Sequence, residues 1–469
     1  TGQSNAEGRT SSTSTTGYQN DRSVACPARE VYSTYAPTNV SRSSDIAGVS
    51  FSNVCTASNA SSFVAGSLTG NTSIAGGNMQ YPLDKLTTNG TGKAGPDSGL
   101  AYEWNRLTGE KVWVINTAWS ATSITAWGPG KTYYERSMAI NRLVQQTVEA
   151  EVSAGHYTVG KRLAFWLQGE SDRKMTAEEY YSYFKRTYDA MVSDLDLDGF
   201  GIITVRSDEG NRTNEDDISM SGPRIAQYAA GNSKDMPKAY VVSNVNEQWV
   251  SDEKVSAYFN KAYQREWKLD YPMHGGSSRL PTSVEEVHGD IHYSQVGHNE
   301  NGITAAQGMY GALYDTGATT VKVSWRDRNG SQITKLTVDK ASDKVLVPVA
   351  IPCYYGKKIE YVRTGPISYD EKTGMISAQG NGSAAITARD ERNNVLGTVT
   401  ITVTDATDMT AVAGKNYNGL FRYNGTWWYL KNGRAQSDYL GVVRNENGWW
   451  YVEDGKVDFT YNGFAQNSN

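Results

Sequence analysis

Thr1-Gly2-Gln3-Ser4-Asn5 sets a serine hydroxyl beside two amides at the edge of a Gly-containing turn. A serine is a weak nucleophile until a base takes its proton, and histidine is the usual base near neutral pH. The chain has five histidines, at 156, 274, 288, 292 and 298. His292 closes Gly289-Asp290-Ile291-His292 and precedes Tyr293-Ser294-Gln295-Val296-Gly297, which reads as a loop entering a last helix. Asp290 is two residues from it, and a carboxylate near an imidazole fixes its tautomer and favours the imidazolium. A third block, Trp166-Leu167-Gln168-Gly169-Glu170-Ser171-Asp172, adds an amide that can donate to an oxyanion. These are the parts of an acyl-transfer hydrolase. His288 and His292 are also four apart, a metal-ligand spacing on a helix, but Gly289 between them disfavours one.

These residues need a scaffold to bring them together. Lys111 to Asn116, Leu163 to Trp166, Gly201 to Val205 and Ala239 to Val242 are short apolar strands. Between them lie helical patterns, one with Met138, Ile140, Leu143, Val144 and Val148 at spacings of three to four, stopping near Gly155. Thr176-Ala177-Glu178-Glu179 reads as a capping box. Alternating strands and helices predict a parallel sheet covered on both faces over residues 1–316. Ligands bind at the carboxyl ends of such strands, which is where the Gln168 block falls.

Residues 319–405 change to short alternating runs broken by Asn329-Gly330, Thr373-Gly374 and Asn381-Gly382, the pattern of a β-sandwich. Residues 412–469 hold a repeat: Trp427-Trp428-Tyr429-Leu430-Lys431-Asn432-Gly433 recurs as Trp449-Trp450-Tyr451-Val452-Glu453-Asp454-Gly455. Asn-Gly and Asp-Gly after an aromatic strand signal hairpins that stack on one another.

With 469 residues, two to four domains are expected. A net charge of −5 offers no basic field for nucleic acid. No apolar run is long enough to span a membrane. Thr1 begins directly in the motif, with no signal peptide ahead of it, which we read as processing or truncation rather than cytoplasmic residence. Of three cysteines, Cys26 and Cys55 share a Ser/Asn-rich stretch and are candidates for a disulfide; Cys353 is left over. No CxxC is present to suggest zinc or redox chemistry.

Gly2-Gln3-Ser4-Asn5, Trp166 to Asp172 and Asp290-Ile291-His292 resemble the blocks of sialate O-acetylesterase-like carbohydrate esterases, in the SGNH (GDSL-like) hydrolase superfamily. Asn116 to Ile124 resembles their second block; Gly95-Pro96 and Arg224-Ile225-Ala226-Gln227 also fit. The resemblance implies a flavodoxin-like three-layer α/β fold and a serine esterase, free of metal and cofactor, that removes acetyl groups from sugars. Ser4 would be the nucleophile and His292 the base. The backbone N–H groups of Ser4 and Ser120, with the Gln168 side chain, would form the oxyanion hole. Glu170 would order its loop. The family places a first β-strand before the nucleophile, and the sequence as given opens without it. Ser120 and Ala121 stand where glycines are usual. Many superfamily members carry the acid three residues before the histidine, which is Gly289 here; Asp290 is the first choice, then Glu286, then a Ser–His dyad helped by a backbone carbonyl.

Residues 319–405 resemble a bacterial Ig-like domain, read as a spacer. The final repeats resemble those of choline-binding and glucan-binding surface proteins, so Trp427, Trp428, Tyr429, Trp449, Trp450 and Tyr451 are expected to bind a wall or glycan ligand. The expected protein is a secreted or cell-wall-associated bacterial esterase, Gram-positive in type, acting on an acetylated glycan. O-acetylated sialic acid leads by resemblance, with acetylated xylan second. Arg206 and Arg224 are candidates to read a sugar carboxylate. The competing reading of another class is a non-catalytic glycan-binding adhesin.

Overall fold

The computed structural model describes residues 1–7, 31–35, 50–52, 67–69, 80–82, 96–110, 112–155, 158–206, 219–262, 280–288, 292–314, 321–339, 344–353, 355–379, 382–404, 409–423 and 425–465. Cys26, Cys55, Gly95, Gly289, Asp290 and Ile291 lie outside them. The chain forms two compact units. The first takes in Thr1–Ser324, Arg328–Ser331 and Val347–Ile359; the second takes in Trp325–Asp327, Gln332–Leu346 and Glu360–Asn469.

In the first unit the strands are β1 (Val31–Tyr35), β2 (Gln80–Pro82), β3 (Val112–Asn116), β4 (Leu163–Trp166), β5 (Gly199–Ile203) and β6 (Ala239–Ser243). They form the sheets β2-β1-β3 and β4-β5-β6, parallel throughout except for the β1–β2 pair. Thr1 to Gln3 join the two sheets at their carboxyl ends. Leu167 N–H donates to Thr1 O at 3.1 Å and Gln3 N–H to Leu167 O at 3.1 Å on one side; Trp119 N–H donates to Gly2 O at 3.0 Å on the other. The first residues of the chain thus sit in the middle of the sheet, at the point where strand order reverses.

The helices are α1 (Ser4–Glu7), α2 (Asp97–Thr108), α3 (Thr132–Ser153), α4 (Ala177–Asp194), α5 (Gly222–Asn232), α6 (Asp252–Ala262), α7 (Val284–Val287) and α8 (Gln295–Tyr314). The period-two alternation of β5 explains the layers. Phe200 points to α4, with ring centroids 5.7 Å from Phe184 and 5.4 Å from Tyr188. Gly199 and Gly201 leave the opposite face open for Met309 of α8, and a Cβ on Gly199 would lie 2.9 Å from the Met309 sulfur. Helices therefore cover both faces, as the alternation predicts. The capping box also forms: Thr176 accepts from Glu179 N–H while Glu179 accepts from Thr176 N–H at 3.0 Å.

Behind Thr1, between β3 and β4, lies a cavity of about 550 Å³ lined by Val112, Val114, Leu163, Phe165, Leu100 and Trp104 among others. The Thr1 ammonium caps its upper end, donating to Phe165 O at 3.0 Å. The slot runs along two facing strand edges whose polar groups, if dry, need partners.

In the second unit Lys335–Val338, Val395–Val403, Gly382–Arg389 and Glu360–Thr364 form one sheet in that order; Lys344–Val345, Met375–Ala378 and Ile367–Tyr369 form another. Tyr361 of the first and Tyr369 of the second both meet Trp325, with centroids 5.6 and 6.1 Å away.

The repeats follow as paired hairpins. Leu420 opposes Tyr429 and Arg422 opposes Trp427; the second copy sets Val442 opposite Tyr451 and Arg444 opposite Trp449. Trp428 and Leu430 pack on Met409 and Ala435. Trp427 and Tyr429, on the other face of that hairpin, pack on Val443 and Val452 of the second copy. The corresponding face of the second copy leaves Trp449 60 % exposed.

Candidate active site

Ser4 is placed by the ladder of bonds that fixes Thr1 to Gln3. Gly2 has φ +140°, and a Cβ there would lie 2.0 Å from Leu167 O, so glycine is required for the two chains to approach. The chain then turns into α1, leaving Ser4 6 % exposed at the carboxyl edge of the sheet. Asn116, at the end of β3, supports this turn: its Nδ2 donates to Ala6 O at 2.9 Å, and its Oδ1 accepts from Ala118 N–H at 3.0 Å. Ser120 and Ala121 follow. Ala121 holds φ +56°, a left-handed conformation that favours the glycine usual at this position.

The block after β4 folds against this turn. Asp172 accepts from Ser123 Oγ at 2.6 Å and from Ile124 N–H at 2.8 Å, so it fastens the loop that carries Ser120. Gln168 is fully buried. Its Nε2 donates to Thr122 O at 3.0 Å, to Gln3 Oε1 at 3.2 Å and to Asp172 Oδ2; its Oε1 accepts from Tyr180 Oη at 2.8 Å. Three protein acceptors thus face two N–H bonds. Flipping the amide would set its oxygen against those acceptors. In this arrangement the Gln168 N–H bonds are engaged within the protein, and the side chain ties together the turns around Ser4. Gln227 braces the same block, donating to Gln168 O at 2.7 Å and accepting from Val205 N–H at 2.7 Å.

Asn5 joins this block to the histidine loop. Its Nδ2 donates to Glu170 Oε1 at 2.7 Å, and its Oδ1 accepts from Tyr293 N–H at 3.2 Å. The residue after Ser4 thereby touches the residue after His292, across 288 positions of sequence. His292 is half-buried, and its charge acts on Glu170. Glu170 is 3 % exposed, and its Oε2 is sealed with no hydrogen-bond partner among the described residues. Burial raises its carboxyl above the ordinary range, against the lowering effects of the Asn5 bond, a backbone bond and His292. Among the described residues the Ser4 hydroxyl has no hydrogen-bond partner, and catalytic hydrogen bonds often tighten only with substrate bound.

Glu286, the second acid candidate, is buried, and its Oε2 accepts from Thr282 N–H at 2.6 Å. Asp290, the first candidate, lies outside the described residues. Arg224 is buried and paired with Glu247 at 3.1 Å. Arg206 is buried at the end of the β5 segment, and its charge acts on Tyr293. Among the described residues no three His, Cys, Asp or Glu side chains cluster to hold a metal ion.

The family model for carbohydrate esterase, sialic acid-specific acetylesterase, matches residues 1–254. This chain belongs to that family. It is therefore a member of a family of carbohydrate esterases, hydrolases that act on ester bonds. Residues 416–436 and 438–458 match a choline-binding repeat. No curated protein matches the chain. Among solved structures it is similar to a carbohydrate acetylesterase from Xanthomonas citri, at 12 % identity over 86 % of this chain and 78 % of that one, with a TM-score of 0.35. A protein from Arabidopsis thaliana matches at 16 % identity over 46 % of this chain and 68 % of that one, with a TM-score of 0.27.

Repeats of this type point to a glycan or cell-wall ligand for this esterase and to association with the wall. No helix among the described residues is long and apolar enough to cross a membrane. The six aromatic candidates differ in access. Trp428 is buried; Trp427, Tyr429, Trp450 and Tyr451 are half-buried; Trp449 is exposed, with the Arg444 guanidinium 5.9 Å from its ring centroid.

Asn5 and Asp172 stand inside the quoted blocks, yet their roles escaped sequence reasoning, and Glu170 was read only as ordering its loop. The signal for Asp172 was its spacing of four from Gln168; Glu170 and Asn5 meet across 165 positions, which no local pattern reports.

Glu170 gives a pH test with a definite sign. A carboxyl raised in the folded state favours folding fully below its unfolded value, about 4.3, and that contribution is lost as pH rises through the raised value. Glu170→Gln keeps an acceptor for Asn5 and cannot ionise. It should gain stability relative to wild type as pH rises from about 4 to about 7. A stability difference constant over that range, measured by urea unfolding, contradicts the assignment.

Proposed function

We propose that this protein is a serine esterase that removes O-acetyl groups from glycans, with O-acetylated sialic acid as the leading substrate. Ser4 Oγ attacks the acetyl carbonyl carbon while the His292 imidazole takes the hydroxyl proton. The backbone N–H groups of Ser4 and Ser120 receive the developing oxyanion. The tetrahedral intermediate collapses, the sugar oxygen leaves with the proton returned by His292, and acetyl-Ser4 remains. Water, deprotonated by His292, then attacks the acetyl group; acetate departs and Ser4 recovers its proton. Gln168 and Asp172 hold the Ser120 loop in register.

The observation that carries this reading is the Asn5 bridge, with the Tyr293 N–H 3.2 Å from Asn5 Oδ1 and Glu170 Oε1 2.7 Å from Asn5 Nδ2. It supports a Ser4–His292 pair with a carboxylate beside it. Glu170, bonded to the same Asn5 side chain that holds Tyr293, competes with Asp290 as the acid partner. The match of residues 1–254 to the sialic acid-specific acetylesterase model supports the leading substrate. The middle region is read as an Ig-like spacer, and the repeats as the attachment of a secreted enzyme to the wall.

The test is acetate release from O-acetylated sialic acid and from acetylated xylan. Ser4→Ala should lose at least about 10³-fold in kcat/KM on the true substrate with its melting temperature kept. Turnover of xylan alone would move the substrate assignment to its runner-up. Equal rates for wild type and Ser4→Ala would leave a glycan-binding adhesin as the better reading.

The exposed ring in the repeats is tested separately. Trp449→Ala should reduce retention on isolated Gram-positive cell walls by about tenfold, with acetate release from soluble substrate preserved. Unchanged retention would remove Trp449 from the attachment surface.

A further inference from the structure

His288 has no part in the chemistry proposed above, yet it sits at the base of the loop that carries His292. Its N–H donates to Val284 O at 2.7 Å and ends α7. The chain returns at Tyr293, which forms an antiparallel bridge with His288. Ser294 closes the loop from the other side: its N–H donates to Val287 O at 2.9 Å and its Oγ to Glu286 O at 2.8 Å. A Cβ on Gly297 would lie 2.5 Å from Val287 O, so α8 is pressed against the same turn. Positions 288 and 293 are thus the two sides of a clasp, and His292 is the last residue within it.

The clasp is held by ring packing. The His288 imidazole meets the Tyr293 ring edge-on at 4.4 Å and 70°. His288 is 2 % exposed and Tyr293 fully buried. Both His288 nitrogens are sealed from solvent, and neither has a hydrogen-bond partner among the described residues. A neutral imidazole there already leaves an N–H unpaired, and an imidazolium would leave a charge unpaired as well, which is far less favourable. The charged and titratable groups on the surrounding elements are engaged or set around the Tyr293 side. On α7, Glu286 accepts from Thr282 N–H at 2.6 Å. On α6, Asp252 accepts from Val284 N–H at 2.8 Å. On α8, His298 stands 5.6 Å from the Tyr293 ring and Glu300 accepts from Tyr258. Arg206, Arg224 and Glu170 act on Tyr293. Glu285 is next on α7, His292 precedes Tyr293, and Asp290 lies outside the described residues.

We propose that His288 is a positioning residue that keeps the catalytic histidine in place only while its own ring is neutral, so that acid releases the 288–293 clasp and withdraws His292 from Ser4. Protonation drives the imidazole out of its dry socket toward water. Tyr293 loses its edge contact, and the Tyr293–Asn5 hydrogen bond that holds the loop against α1 goes with it. Activity then disappears with two protons, one on His292 and one on His288, rather than one.

The inference rests on the Ser4–His292 reading, and its test keeps the two separable. The first measurement is the acid limb of kcat/KM for p-nitrophenyl acetate, each protein scaled to its own plateau. Toward its acid end the wild-type limb should steepen to about 100-fold per pH unit, while that of His288→Phe, which fills the socket and cannot ionise, stays at about tenfold. Equal slopes overturn the proposal. The second measurement needs neither activity nor a variant: hydrogen exchange of wild-type residues 284–294, corrected for intrinsic rates, from about pH 7 to about pH 4. Loss of protection there while β5 stays protected supports the clasp, and unchanged protection overturns it even should the variant not fold.

Discussion

The Asn5 carboxamide is the interaction on which the site depends. One short side chain accepts from Tyr293 N–H and donates to Glu170, so it ties the nucleophile turn, the block after β4 and the histidine loop at one point. It is 1 % exposed, so these bonds form in a poorly solvated setting, where a lost partner is expensive. Around it the amides and carboxylates of Gln3, Gln168 and Asp172 bond one another, and little of this polar cluster is left to solvent. The rigidity this provides suits acyl transfer, where donors must already be aimed when charge develops.

The sheet supplies the geometry that makes such a cluster possible. Thr1 to Gln3 lie between β3 and β4 and bond to the residues that follow each of them, so both strand ends are tied to the turn that carries Ser4. Ser4, Ser120 and Gln168 all follow strand ends at that edge, and His292 arrives from the segment between α7 and α8. The cavity behind Thr1 lies between the flanking strands β3 and β4 and is lined by polar as well as apolar side chains, Glu110, Asn141 and Lys161 among them.

The repeats obey a simpler constraint. Each hairpin has two apolar faces and only two neighbours to cover them. The Met409 segment covers one face of the first copy and the second copy covers the other, so identical sequence positions receive different environments. Trp427 is half-buried where its counterpart Trp449 is exposed, although the two share the same local sequence.

Much was legible in the sequence for local reasons. Period-two and period-3.6 apolar spacing marked β3 to β6 and the helices between them, the Thr176 box opened α4, and the 22-residue repeat marked the hairpins, because each depends on neighbours within a few positions. Residue types likewise named a hydroxyl, an imidazole and a carboxylate as a set. What tertiary structure alone decided is where the hydrogen bonds of those groups go. Gln168 has the composition of an oxyanion donor, yet Thr122, Gln3 and Asp172 surround its nitrogen. Glu170 reads as a loop residue, yet folding buries it beside His292. Such outcomes are set by contacts across more than a hundred positions, whose energies depend on burial and direction, and neither quantity is written in a residue's immediate neighbours.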